Sequence, residues 1–224
     1  MKIGLENLTF GYRSEEVLFR ISELLVSSGE AVGIVGPSGA GKTTLLRLLA
    51  GICLPISGRI VLDGTEMNSL NDAARRRFRN ERIGLVFQDF RLLEYLSIRD
   101  NMLLPFRVSS VPSKAADLCS KVDALADRLE LIGRIEASPG ELSQGEQQRV
   151  AIGRALISSP QLILADEPTG NLDERNKVRM RDLLVNHCRD HGVTLLMVTH
   201  DPQLLDPFDR VIDYSDYQER KREE

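Results

Sequence analysis

The run Gly36-Pro37-Ser38-Gly39-Ala40-Gly41-Lys42-Thr43 constrains this chain more than any other stretch. The apolar segment Ala31–Val35 before it reads as a buried strand, and Lys42–Leu49 after it reads as a helix. A strand that enters a helix through a glycine-rich turn is a cradle for phosphate. The glycines let backbone N–H groups approach an anion with no Cβ in the way. The start of the helix adds positive potential. In such a turn Lys42 bridges the outer phosphates and Thr43 offers its hydroxyl to Mg²⁺, so nucleotide binding is expected.

Further short apolar runs alternate with helical stretches. Arg59–Leu62, closed by the turn pair Asp63-Gly64, reads as a strand, as do Ile83–Phe87, Leu162–Ala165, Leu195–Val198 and Val211–Ile212. This alternation points to an α/β fold with a mainly parallel sheet covered on both faces. Residues 97–158 contain no convincing strand. Within them Ser113–Leu131 carries Ala115, Leu118, Val122, Leu125 and Leu129 at helical spacing, so a mostly helical sub-lobe inserted into the core is expected. The expected division is a nucleotide-binding core at 1–96 and 159–213, the sub-lobe at 97–158, and a polar, frayed tail at 214–224.

The 224 residues suffice for one domain with a sizeable core, 42% of them hydrophobic and 28% charged. A net charge of −4 argues against a dedicated nucleic-acid binder. Cys53, Cys119 and Cys188 are too scattered for a metal site and read as reduced thiols of a cytosolic protein. No signal peptide is expected at the N-terminus. No apolar stretch approaches the ~20 residues that cross a bilayer, so any role at a membrane is expected to go through partners.

Two more features carry chemistry. Leu162–Ala165 runs straight into Asp166-Glu167. A strand end there delivers Asp166 to Mg²⁺, which keeps several of its waters and needs few carboxylates. Glu167 is then placed to orient an attacking water and take its proton. Ser143 and Glu146 have the spacing of a capping box ahead of a helix reaching about Leu156. Gly145 in that first turn does nothing for helix stability, yet it suits a close approach of phosphate to the backbone. Capping and phosphate binding are both open for this segment.

Taken in order, Gly36–Thr43, Gln88, Leu142–Gln147, Leu162–Glu167, Asp173 and His200 resemble the Walker A loop, Q-loop, signature, Walker B strand, D-loop and switch histidine of the ATP-binding-cassette (ABC) ATPases. The resemblance runs from Leu5 to about Ile212. The wording GPSGAGKTTLLRLLAG, IGLVFQ, ELSQGEQQRVAIGRAL and LADEPTGNLD is most similar to the branch with the lipoprotein-release, macrolide-export and cell-division ATPases. The resemblance implies a P-loop NTPase core with a mainly parallel sheet, an N-terminal antiparallel β part and an inserted α-helical sub-lobe. It implies an ATPase that closes as a homodimer over two Mg·ATP, lies on the inner face of the cell membrane and drives an integral-membrane permease.

By position, the resemblance also implies roles for single residues. Tyr12 stacks on adenine with help from Val17. Gly36, Pro37, Ser38, Gly39, Ala40, Gly41, Lys42, Thr43 and Thr44 hold the phosphates. Thr43, Gln88 and Asp166 serve Mg²⁺. Glu167, His200, Lys42 and Gln88 serve hydrolysis, with His200 on the γ-phosphate. Ser143, Gly145, Glu146 and Asp173 act across the dimer on the opposite ATP. The chain departs from the family's usual signature at Gln144, which stands in the first glycine slot.

Phe90, Leu92, Leu93, Tyr95 and Leu96 read either as a docking stripe for a partner's cytoplasmic helix or as internal core. The basic cluster Arg75-Arg76-Arg77-Phe78-Arg79 reads either as a solvated helix face or as a contact for anionic headgroups. The rival to a transporter subunit is a soluble, non-transport cassette ATPase, for example of the iron–sulfur assembly type.

Overall fold

The computed structural model describes residues 1–12, 16–108 and 115–217, with the backbone alone for 115 and 116. Strands β1 (Ile3–Phe10), β2 (Phe19–Val26) and β3 (Ala31–Val35) lead into helix α1 (Lys42–Leu49). Strands β4 (Ser57–Leu62) and β5 (Thr65–Glu66), helix α2 (Asp72–Arg82) and strand β6 (Ile83–Val86) follow. Three helices come next, α3 (Ile98–Arg107), α4 (Ala115–Arg128) and α5 (Gln144–Leu156). Strand β7 (Leu162–Asp166), helix α6 (Glu174–His191), and strands β8 (Thr194–Val198) and β9 (Arg210–Asp213) complete the order.

Two sheets form. One is antiparallel, in the order β2-β1-β4-β5, and the other is parallel, in the order β6-β7-β8-β3-β9. The parallel strands Ala31–Val35, Leu162–Asp166 and Thr194–Val198 are almost wholly buried, which is why they read as continuous apolar runs. Arg59–Leu62 belongs to the antiparallel sheet, not the parallel one. Strand β1 gave no clean alternation because it is bulged. Asn7 has φ +48° and the pairing with β4 shifts register between Glu6 and Thr9, so the inward face passes from Ile3 and Leu5 to Leu8 and Phe10.

One buried cluster lies between the two sheets and takes in Phe10, Phe19, Ile34, Leu45, Leu49 and Leu164. The other face of the parallel sheet packs Ile163, Ala165, Leu195 and Met197 against Met102, Val122, Val150 and Leu184 of the helices. The helical lobe therefore shares its apolar core with the sheet. Helix α5 comes closest to it: a Cβ on Gly84 of β6 would lie 2.5 Å from the Ala155 carbonyl oxygen, so this contact excludes every larger residue.

Helix α4 spans Ala115–Arg128, within the expected 113–131; Ser113 and Lys114 lie outside the described residues. Residues 214–217 are not a frayed tail. Tyr214 is fully buried, edge-on to Phe19 and against Gly36, where an added Cβ would meet it at 3.2 Å. An aromatic beside a charged run reads as polar on average, and only its contacts show it to be core. The tail beyond residue 217 lies outside the described residues. The arginines of α2 are mostly engaged by their own chain. Arg75 donates to the Leu70 carbonyl, Arg76 pairs with Asp72, and Arg79 donates to the Ala50 carbonyl at 3.0 Å. The cluster clamps α2 to the segment before it and to the end of α1, which favours the structural reading over headgroup contact.

Candidate functional site

The glycine-rich turn leaves β3 at the carboxyl end of the parallel sheet and enters α1 through Gly41 at φ +95°. A Cβ there would lie 2.8 Å from the Phe19 ring, so glycine is required twice over, by backbone and by space. Lys42 is buried and its Nζ donates to the carbonyls of Gly36 at 2.7 Å and Pro37 at 2.8 Å. The ammonium is thus held across the mouth of the loop. A cleft of about 330 Å³ opens there, lined by Tyr12, Leu18, Ser38–Thr44 and Glu167.

Strand β7 brings the two carboxylates to the same end. The Thr43 hydroxyl donates to Asp166 Oδ1 at 3.0 Å, so two hard oxygens meet beside the loop. Burial pushes the Asp166 carboxyl above its ordinary value, the Thr43 hydrogen bond opposes this, and the neighbouring Glu167 adds to it. Such a carboxylate is a good partner for a cation. Among the described residues no group of three or more His, Cys, Asp and Glu could hold a metal by itself. A hydroxyl and one carboxylate fit Mg²⁺, which takes its remaining ligands from phosphate and water.

Glu167 has φ +44°, a strained value for a residue with a side chain, and its N–H donates to the Val198 carbonyl at 3.0 Å. This turn aims the carboxylate at His200, whose Nδ1 lies 3.0 Å from Glu167 Oε2. A carboxylate accepts, so Nδ1–H donates and fixes the tautomer. Gln88 is exposed, and Asn171 Nδ2 donates to its carbonyl at 3.1 Å. Beyond it, Phe90 and Arg91 both have positive φ, and the half-buried Arg154 guanidinium of α5 donates to both of their carbonyls. Burial holds the Arg154 pKa below its ordinary value.

Tyr12 is 68% exposed; its hydroxyl shares a 2.7 Å hydrogen bond with Thr44 Oγ1, and its ring stands edge-on to Phe10. Its neighbour in the cleft wall is Leu18, whereas Val17 lies half-buried outside the lining. Val17 precedes Leu18 in the same segment, beside the mouth of the cleft.

Ser143, Gly145, Glu146 and Asp173 are absent from the cleft lining. Ser143 and Glu146 form the capping box, with the Ser143 hydroxyl 2.7 Å and its N–H 2.9 Å from Glu146 Oε2. Those hydrogen bonds hold the Glu146 carboxyl below its usual range. Asp173 caps α6 by accepting from the Asn176 N–H at 2.9 Å and from Asn176 Nδ2 at 2.7 Å, which lowers its pKa as well. The nearest atoms to a Cβ on Gly145 would be those of Asn176, at 3.8 Å. The signature turn and Asp173 thus share one edge, joined by Asn176, a residue that no motif singled out. Among the described residues no side chain requires glycine at 145.

The chain matches the ABC transporter family over residues 19–170. It belongs to that family. It is 41% identical over 210 residues to the lipoprotein-releasing system ATP-binding protein LolD of Bacteroides fragilis, covering 94% of this chain and 96% of that protein. It is 46% identical over 183 residues to LolD of Hydrogenovibrio crunogenus, with 82% and 79% covered. In three dimensions it is similar to the ATP-binding cassette MJ0796 in a dimeric post-hydrolysis state bound to ADP and Pi. That match has a TM-score of 0.86 and 33% identity, and covers 94% of this chain and 93% of that one. Family and fold agree: this ABC protein binds ATP and is an ATPase subunit of the transporter type. Among its described residues no helix is long and apolar enough to cross a membrane.

Proposed function

We propose that two copies of this chain close head-to-tail over two Mg·ATP and drive an integral-membrane permease of the lipoprotein-release branch from its cytoplasmic face. The single observation that carries the dimer is the split site. One surface holds Lys42, Thr43, Asp166, Glu167 and His200, and another holds Ser143, Gly145 and Asp173 around Asn176. Each surface is half of what encloses a γ-phosphate.

Within this reading Thr43, Asp166 and Gln88 hold Mg²⁺, which neutralises charge on the transferring phosphoryl group. Lys42 and the N–H groups of the loop hold the phosphates, Tyr12 with Val17 holds the base, and Glu167 orients the attacking water. His200 anchors Glu167 and reaches toward the γ-phosphate. Glu167→Gln is expected to bind ATP, to lose about 10²–10⁴-fold in hydrolysis and to elute as a dimer with ATP on a sizing column. Elution as a monomer with bound ATP overturns the split-site reading.

For the permease, the apolar stripe needs revision. Phe90 is buried, while Tyr95 is 81% exposed. Next to the stripe a groove of about 210 Å³ lies between α2, β6 and α3, with Leu85, Phe87, Leu104 and Val108 in its walls. An amphipathic cytoplasmic helix of the membrane partner suits such a groove. Val108→Glu is expected to abolish co-purification of the permease while leaving basal ATP turnover intact; undiminished co-purification counts against this docking site.

A further inference from the structure

A cavity of about 660 Å³ lies apart from the nucleotide cleft. It lies at the other end of the parallel sheet. Its floor includes Pro160 and Gln161, which lead into β7, and Gly192 and Val193, which lead into β8. Five-residue strands separate it from the phosphate loop by roughly 16 Å of backbone. Nothing in the ATPase site uses it.

Two helices supply its walls. Helix α4 presents Lys121, Ala124, Leu125 and Arg128, the i, i+3, i+4 and i+7 positions of one face. Helix α6 presents His187 and His191, one turn apart, with rings stacked at 4.3 Å. Lys121 and Arg128 have no ion pair or hydrogen bond among the described residues. The Nδ1 of His187 is buried without a hydrogen-bond partner, whereas His191 Nδ1 donates to the His187 carbonyl at 2.9 Å. The one carboxylate in the lining, Asp63, already accepts from the Lys2 N–H. Leu125, Leu156 and Ile157 make part of the wall apolar.

We propose that this cavity binds a small phosphorylated organic molecule, its phosphate held by Lys121, Arg128 and the His187 ring and its apolar body set against Leu125 and Ile157. The volume falls in the range of small-molecule sites, apolar in the main with a few convergent polar groups. Two cationic side chains and the His187 ring, facing a single engaged carboxylate, match a dianion with three acceptor oxygens better than a carboxylate with two. His187 agrees with this. Burial, then His191 and Arg128, push its pKa down to about 4 against a smaller opposing pull from Asp190, so the ring is neutral at pH 7. The ligand would also join α4 of the helical lobe to α6 and the sheet, so occupancy fastens the lobe to the core.

The test uses phenyl phosphate and inorganic phosphate as probes, added to the full chain already saturated with Mg·ADP and read from the ring resonances of His187 and His191 by NMR. A saturable shift with phenyl phosphate, half-complete below about 1 mM, is expected. It should weaken about 10-fold or more in Lys121→Ser and Arg128→Ser, whose ATP turnover without probe shows that they fold. Phenyl phosphate should bind more tightly than inorganic phosphate, and it should raise the titration midpoint of His187. Absence of saturation by about 10 mM, or a shift that survives in both variants, overturns the site. Equal affinity for the two probes overturns the assignment of an organic ligand.

Discussion

Asp166 carries a charge that its surroundings resist until a cation arrives. Burial raises its pKa, against the opposing Thr43 hydrogen bond and with help from Glu167. A carboxyl raised in this way contributes stability that is fully present below its ordinary pKa of 3.8 and is lost as pH climbs through the folded value. Asp166→Asn keeps the acceptor for Thr43 and removes the charge. In EDTA it is expected to unfold at a higher denaturant concentration than the native chain, with a larger gain at pH 8 than at pH 5. It should also lose about 10²-fold or more in Mg²⁺-dependent turnover. An unchanged midpoint at pH 8 would show that burial of Asp166 costs the fold nothing. The pair Asp166-Glu167 was legible as chemistry because two carboxylates follow an apolar strand. That Glu167 takes a left-handed backbone and meets His200, 33 residues on, was not legible, since the contact joins the ends of two strands.

At the scale of elements, the first turn of α5 does two things that the sequence left open. Its capping box is present, so Ser143 stabilises its own helix. A methyl group on Gly145 would clash with no described side chain, its nearest neighbours being Asn176 and Arg149 at 3.8–3.9 Å. Gly145→Ala is therefore expected to raise thermal stability, by a few tenths to about 1 kcal/mol, while ATP turnover falls. Faster or unchanged turnover in that variant would remove the reason for glycine at this position. The other end of α5 reaches the segment after Gln88 through Arg154, which caps the carbonyls of Phe90 and Arg91. One helix thus links the signature edge to the segment beside the proposed docking groove.

For the whole molecule, Tyr214 is the closing piece. It lies fully buried beyond the last strand, against Phe19 of the antiparallel sheet and Gly36 of the phosphate loop. Its hydroxyl is buried without a partner, and burial raises its pKa. An unpaired buried hydroxyl costs about 1–3 kcal/mol. Tyr214→Phe is accordingly expected to raise the melting temperature and Tyr214→Ala to lower stability by about 3–5 kcal/mol. Calorimetry of both variants checks this, and a lower melting temperature for Tyr214→Phe would reveal a hydrogen bond to the hydroxyl.

The parallel strands, α1, α5 and the phosphate loop were determined by local sequence, because burial on both faces and a glycine-bound turn leave marks within a few residues. Tertiary structure alone decided what depends on distant partners: the bulged β1, the Asn176 link, the buried Tyr214, and the basic cavity at the far end of the sheet. A side chain's type records what it can bind, but its neighbours are chosen only when strands and helices far apart in the chain are packed together.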